Sequence, residues 1–338
     1  MGSVLSLREF DALPDGFLDA RADALEKLLG GPALIHLPGR RSAPLFISVL
    51  LHGNETSGHE AVKAVLRRHA VRGLPRAVSL FVGNVSAARA GLRRLAGQPD
   101  FNRVWPGTET PDRPEALLMA DVIARVGARR PFASVDIHNN TGINPHYSCI
   151  VDLDAASLRL AQLFSRIAVL FHRPLGVQAR AARALCPAVT VECGKVGQAQ
   201  GDAHAADFID AALHLDHFPP SPPAPGEMDL LHTVAIVKVP AGASFSFDGA
   251  AADYRFRGDL DHFNFRELAA GTSFGHVRAG APALEIVAAD SGERIDGLMA
   301  GGDGALRLIR PLFPSMLTTD EAAVRNDCLC YLMERIRQ

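Results

Sequence analysis

The stretch LFISVLLHGNETSGHEAVKAVLRRH, residues 45–69, changes its hydrophobic period halfway along. Leu45 to Leu51 is a short continuous apolar run bounded by Pro44 and Gly53, the pattern of a strand buried on both faces. From Ser57 to His69 the apolar positions Ala61, Val62, Val65 and Leu66 recur at helical spacing, with Ser57 placed to cap the helix. A buried strand that feeds a helix through a polar turn is the start of a βαβ unit. Working outward, the alternation repeats. Ala77 to Val82 reads as a strand, Glu115 to Val126 as a helix, Phe132 to Ile137 as a strand, Ala156 to Phe171 as a helix and Ala188 to Val191 as a strand. Strands spaced by helices predict an α/β fold whose mostly parallel sheet is flanked by helices on both faces.

The pattern breaks at FPPSPPAPG, residues 218–226, where five prolines in nine residues exclude a continuing helix or a central strand. Shorter β-like runs follow at Thr233–Val239, Ser244–Phe247, Ser273–Val277, Ala283–Val287 and Leu306–Leu312, with a short helix from about Thr319. The organisation expected is an α/β domain over 1–218, a linker over 219–227 and a smaller β-rich domain over 228–338. The length of 338 residues agrees with two domains of roughly 150 each. With 35 basic and 37 acidic side chains the net charge is -2, so there is no basic field to hold nucleic acid or a membrane surface. No apolar run reaches the roughly 18 residues that span a bilayer, and MGSVLSLREFDALPDGF lacks a signal-peptide pattern. MGSVLS matches the loose myristoylation pattern, which carries little information and is set aside. Five scattered cysteines form no disulfide framework, and a cytoplasmic globular protein is expected. Only four basic residues are lysines, so in this arginine-rich chain an isolated arginine says little about recognition.

In an open α/β sheet, ligands sit beyond the carboxyl ends of the strands. His52 and Glu55 follow the first strand, His138 the third and Glu192 the fourth, so two histidines and two carboxylates meet on one rim. His52 and Glu55 form an H-x-x-E pair at a helix entry. With His138 they make a His/His/Glu set that leaves a fourth tetrahedral position, which is the pattern of a catalytic zinc site with one Zn2+ per chain. Alone, H-x-x-E is most often a solvated helix start and His138 a satisfied strand-end histidine; the combination carries the reading. Asp136 lies two residues before His138 on an extended strand and can orient it. Glu192 ends an apolar strand. It reads either as a carboxylate paired with an arginine or, preferred here, as a general base whose pKa is raised by burial and which deprotonates the attacking water. In DFNRVW, residues 100–105, Asn102 and Arg103 can clamp a substrate carboxylate or serve structure alone. His214 and His217 read as a surface pair, Cys193 lacks a partner base, and GGDG at 301–304 reads as a turn.

LHGNE, DFNRVW, DIHNNTG and VECGKVGQ, in this order, resemble the succinylglutamate desuccinylase and aspartoacylase family, a branch of the zinc carboxypeptidase clan. The likeness covers about Leu45 to Gly201. It implies a carboxypeptidase-like catalytic domain with a C-terminal β domain, zinc on His52, Glu55 and His138, Glu192 as base, and Asn102 with Arg103 on the substrate carboxylate. It also implies hydrolysis of the amide bond of an N-acyl amino acid or a related small acidic compound. An upstream arginine is expected to polarise the carbonyl; Arg93 and Arg94 lie near that place at altered spacing, and Arg94 is carried as the substrate-binding candidate. Arg183, with Arg180 as the alternative, is the candidate for a second carboxylate. Glu321, Ala322 and Ala323 are followed by Val324 where aspartoacylase-like members have tyrosine, which weakens N-acetylaspartate or succinylglutamate as the substrate. The alternatives are a zinc metallocarboxypeptidase acting on short peptides and a non-catalytic ligand-binding protein on the same fold. The oligomeric state, a homo-oligomer included, is left open.

Overall fold

The computed structural model describes residues 5–301 and 304–336. Met1 to Val4 of the MGSVLS stretch, and Gly302 and Asp303 of the GGDG turn, lie outside the described residues. Two compact units are present. The first runs to Asn139 and adds His146–Ala168 and Pro174–Asp229; the second comprises Asn140–Pro145, Val169–Arg173 and the chain from Leu230.

In the first unit the strands are β1 (Arg8–Phe10), β2 (Ala33–Leu37), β3 (Gly39–Val49), β4 (Leu74–Val82), β5 (Ala133–Asn140), β6 (Tyr147–Ile150), β7 (Ile167–Leu170) and β8 (Ala188–Lys195). The helices are α1 (Leu25–Leu29), α2 (Ser57–Arg68), α3 (Val85–Ala90), α4 (Pro114–Ala128), α5 (Ala155–Phe164), α6 (Gln178–Arg183) and α7 (Ala199–His214). The strands hydrogen-bond in the order β1-β2-β4-β3-β5-β8-β6-β7. β3 is parallel to both β4 and β5, whereas β2 on β4 and β6 on β8 are antiparallel. This is the mostly parallel, helix-flanked sheet that the alternating pattern predicts. The quoted stretch supplies its centre: Leu45, Phe46 and Val49 of β3 are fully buried, as a strand covered on both faces requires. Phe46, Phe81, Trp105, Met119 and Val122 belong to one buried cluster, with the rings of Phe81 and Trp105 edge to face at 5.7 Å. Each such side chain taken from water stabilises the fold by ~1.5–3 kcal/mol.

Two readings of this region change. The helix expected over Ala156 to Phe171 ends at Phe164, where Ser165 turns extended, and Ile167–Leu170 is a strand; β-branched Ile167 and Val169 suit a pleated surface better than a helical turn. Ser57 is the first residue of α2 and does not cap it. Thr56 is the cap residue and makes no side-chain bond there, while the Ser57 N–H donates to Asn139 Oδ1 at 3.2 Å. A buried neighbouring strand thus satisfies the helix end that a local cap would otherwise serve.

The second unit is β-rich. Its strands are β9 (Asp229–Lys238), β10 (Phe245–Ser246), β11 (Tyr254–Phe256), β12 (Ser273–Val277), β13 (Glu285–Ala288), β14 (Met299–Ala300), β15 (Ala305–Leu308), β16 (Phe313–Ser315) and β17 (Cys330–Arg335), with the short helix α8 (Glu321–Asn326). β9 pairs with β13 and β17, and β17 with β16. A separate five-stranded sheet runs β10-β11-β12-β15-β14. Tyr254, Phe274, Leu306 and Leu332 belong to its core cluster. Among the described residues no helix is long and apolar enough to cross a membrane, and none of the five cysteines is joined in a disulfide.

Candidate metal centre and active site

The turn after β3 is built so that His52 and Glu55 face one point. Leu50, fully buried, takes a left-handed φ of 56° and its carbonyl accepts the Asn84 N–H at 2.7 Å. At Gly53 a Cβ would lie 2.2 Å from the Ala88 nitrogen, so only glycine lets the turn press against α3. The Glu55 N–H closes the turn on the His52 carbonyl at 3.1 Å.

His52, Glu55 and His138, all buried, form the metal-capable group among the described residues, with one ligand atom from each lying within 4.8 Å of the others. Glu55 Oε1 is 2.8 Å from His52 Nδ1, Glu55 Oε2 is 2.8 Å from His138 Nδ1, and the two Nδ1 atoms are 3.2 Å apart. On their far sides the rings meet carboxylates: His52 Nε2 donates to Asp100 Oδ1 at 2.9 Å and His138 Nε2 to Asp136 Oδ2 at 2.7 Å. Each Nε2 thus faces one carboxylate and each Nδ1 faces Glu55, so both Nδ1 atoms are turned inward, where a metal ion could take the place of their protons. Two imidazole nitrogens and a carboxylate this close require positive charge between them, supplied by protons or by a metal ion. The electrostatics agree. Burial works against ionisation of Glu55, but His52 and His138 outweigh it and hold the carboxyl far below its usual range. Burial also opposes charge on His138, yet Asp136 and Glu55 raise that imidazole well above the ordinary histidine value. Zinc fits this donor set: ligands about 2.0–2.1 Å from a tetrahedral centre lie about 3.3 Å from each other, close to the observed Nδ1 separation.

Supporting groups hold these side chains. Asp136 accepts Ser48 Oγ at 2.6 Å and Asn102 Nδ2 at 3.1 Å. Asn139 donates its N–H to Glu55 Oε2 at 3.1 Å and its amide to Ser57 Oγ and the Gly194 carbonyl. Asp136 lies beside His138, its Oδ2 2.7 Å from Nε2. Asp100, two residues before Asn102, orients His52 in the same manner and was absent from the sequence reading; its position at the head of DFNR was the available signal. Burial would raise the Asp100 carboxyl, but His52 and Arg103 hold it well below its usual range.

Strand boundaries shift the other expected residues without scattering them. His138 and Glu192 lie within β5 and β8, since both strands run further than their apolar cores. Glu192 is buried, 8% exposed. Thr190 Oγ1 reaches Asp136 Oδ2 at 3.5 Å, and residues two apart on a strand share a face, so Glu192 lies on the face of Asp136 and His138. Burial raises the Cys149 thiol, and the charges of Glu192 and Asp136 raise it further.

The arginines are sorted differently from expectation. Arg93 reaches the cluster, its Nη1 3.3 Å from Glu55 Oε1 and its Nη2 2.9 Å from Asp100 Oδ2. Arg94 is exposed and its guanidinium lies 3.4 Å from the Gln98 carbonyl. The pair falls on a stretch without helix or strand, where no periodicity tells inward from outward. Arg183 is engaged by two aspartates, with Nε 2.7 Å from Asp152 and Nη2 3.2 Å from Asp154. Arg103 Nη1 donates to the Asn102 carbonyl at 2.9 Å. Asn102 is buried, 6% exposed, and its amide is turned toward Asp136.

Comparison with known proteins adds to this geometry. A model of the succinylglutamate desuccinylase/aspartoacylase catalytic domain matches residues 43–214. No curated protein sequence matches the chain. Among solved structures, succinylglutamate desuccinylase from Vibrio parahaemolyticus is similar at 14% identity, with 89% of this chain and 84% of that chain covered and a TM-score of 0.58. The corresponding Chromobacterium violaceum protein shows 19% identity, coverages of 88% and 86% and a TM-score of 0.56. Murine aminoacylase 3 shows 17% identity, coverages of 88% and 96% and a TM-score of 0.54. At these identities the structural likeness speaks to the fold, and the family match spans half of the chain. The chain therefore belongs to the succinylglutamate desuccinylase/aspartoacylase family.

Proposed function

We propose that this protein is a zinc-dependent amidohydrolase that cleaves the amide bond of an N-acyl amino acid or a related small carboxylate-bearing compound. The observation that carries the reading is the inward convergence of His52 Nδ1, His138 Nδ1 and the Glu55 carboxylate, with Glu192 on the same face of the sheet. Zinc held there supplies Lewis acidity, which stabilises negative charge developing on a carbonyl oxygen and lowers the pKa of a nearby water. Glu192 accepts a proton from the attacking water as its oxygen bonds to the acyl carbon. As the C–N bond breaks, Glu192 returns that proton to the departing amine nitrogen. Its burial suits this cycle, because desolvation favours the neutral carboxylic acid that the first transfer creates. Arg93 places a cation beside Glu55 and supports charge on the carbonyl oxygen. Arg103, adjoining the same segment, is the guanidinium assigned to the substrate carboxylate.

The test pairs metal analysis with turnover. The purified protein should hold about one zinc per chain, and Glu192→Gln should keep the metal while losing about 10²–10⁴ of the rate. A panel of N-acetyl and N-succinyl amino acids beside dipeptides identifies the substrate class. Unchanged activity in Glu192→Gln removes the mechanism, and cleavage of dipeptides alone replaces the reading with a carboxypeptidase.

A further inference from the structure

Asn139, directly after His138 on β5, touches three other places in the first unit. Its main-chain N–H donates to Glu55 Oε2 at 3.1 Å. Its side-chain Oδ1 accepts the Ser57 N–H at 3.2 Å, and its Nδ2 donates to Ser57 Oγ at 2.9 Å and to the Gly194 carbonyl at 3.0 Å. These contacts fix the amide. Rotated by half a turn, it would set an oxygen against the Gly194 carbonyl and an NH2 against the Ser57 N–H; the Ser57 hydroxyl alone, able to donate or accept, would tolerate the change. Asn139 is 4% exposed and Ser57 has no exposed surface, so bulk water does not compete for these bonds.

The places it joins belong to the two halves of the chemistry. Ser57 opens α2 two residues after Glu55. Gly194 lies on β8 two residues after Glu192, which is itself paired with Tyr147 of β6. β5 and β8 are neighbours in the sheet, so the ladder ties strand to strand; the Asn139 amide ties the start of α2 to β8 as well. We propose that Asn139 is a positioning residue that fixes Glu192 relative to Glu55, through its main chain at the Glu55 carboxylate and through its side chain at the strand of Glu192. The inference rests on the reading of Glu55 as a metal ligand and Glu192 as the base. A misplacement of about 1 Å at the reacting centre can cost about 10²-fold in rate. The side-chain link therefore acts on proton transfer, while the main-chain bond to Glu55 survives any change of side chain.

The experiment measures zinc content, kcat and KM of the whole protein on the best substrate of the panel, with each substitution made alone and together with Glu192→Gln. Asn139→Ala should keep zinc content and KM near wild type while kcat falls about 10²-fold. Added to Glu192→Gln, it should lower kcat little further, because residues that act as a unit are not additive. Ser57→Ala removes one acceptor of the amide and should lower kcat about fivefold, with the same dependence on Glu192; it keeps the test decisive if Asn139→Ala does not fold. Wild-type kcat in either variant overturns the proposal. So does a loss in Asn139→Ala that multiplies in full with that of Glu192→Gln, or one explained entirely by missing zinc. Wild-type protein that takes up no zinc, or full activity in Glu192→Gln alone, refutes the proposed function instead, so the two failures are distinct.

Discussion

His59 should make the first unit sensitive to mild acid. It lies on α2 with no exposed surface, packed edge to face on Phe17 with ring centroids 5.4 Å apart. Neither ring nitrogen has a hydrogen-bond partner among the described residues, and the Glu60 carboxylate is 3.6 Å from Nδ1. Burial, reinforced by the positive charge of Lys63, holds the imidazole down to about 4 from 6.5. Above pH 6.5 the ring is neutral in both the folded and unfolded chain and has no effect on the pH dependence. As pH falls below 6.5 the unfolded chain binds a proton that the folded chain refuses, so stability declines until the folded value near 4 is reached. At 1.36 kcal/mol per pH unit, the loss over that window is about 3 kcal/mol. The comparison is urea unfolding of wild type and His59→Leu between pH 7.5 and 4.5, where other titrating groups cancel in the difference. At pH 7.5 leucine should be neutral or stabilising, because it removes two polar atoms that have no hydrogen-bond partner. At pH 4.5 the variant should gain a further ~2–3 kcal/mol over wild type. A gap between the two proteins that stays constant with pH would refute a buried neutral His59.

Gly53→Ala should destabilise the protein by ~2–3 kcal/mol through the clash with α3, read by thermal unfolding, and should weaken zinc uptake by displacing His52. Arg93→Ala should lower zinc affinity about tenfold, since it removes a donor from Glu55 and Asp100. Arg94→Ala should stay within about 0.5 kcal/mol of wild-type stability and keep its metal; both are checked by chelator competition and unfolding. Trp105→Ala should cost ~3–5 kcal/mol in chemical unfolding, since the ring is completely buried against Phe81.

Much of the site was legible because its residues sit at strand ends. Apolar runs located β3, β5 and β8, and the polar residues after them fell on one rim by topology alone. The strand ends themselves were placed too early: His138 and Glu192 are polar residues inside strands, and an apolar pattern stops where function begins. The second unit was harder. Ser273–Val277 was read as a strand with the bounds that β12 has, whereas β11, β14 and β16, of two or three residues each, are shorter than any periodicity can register. β17, CYLMER, was also missed.

The chain's order of residues was enough to determine the alternating architecture, the His/His/Glu set and the family, because these depend on hydrophobic period, residue chemistry and motif order. The tertiary structure alone decided which of two adjacent arginines faces the cluster, that Asp152 and Asp154 engage Arg183, and that the amide of Asn102 turns toward Asp136. Those outcomes depend on hydrogen bonds between segments tens of residues apart. Such bonds form only once burial has stripped the polar groups of water and left each to the partner that the fold brings within reach.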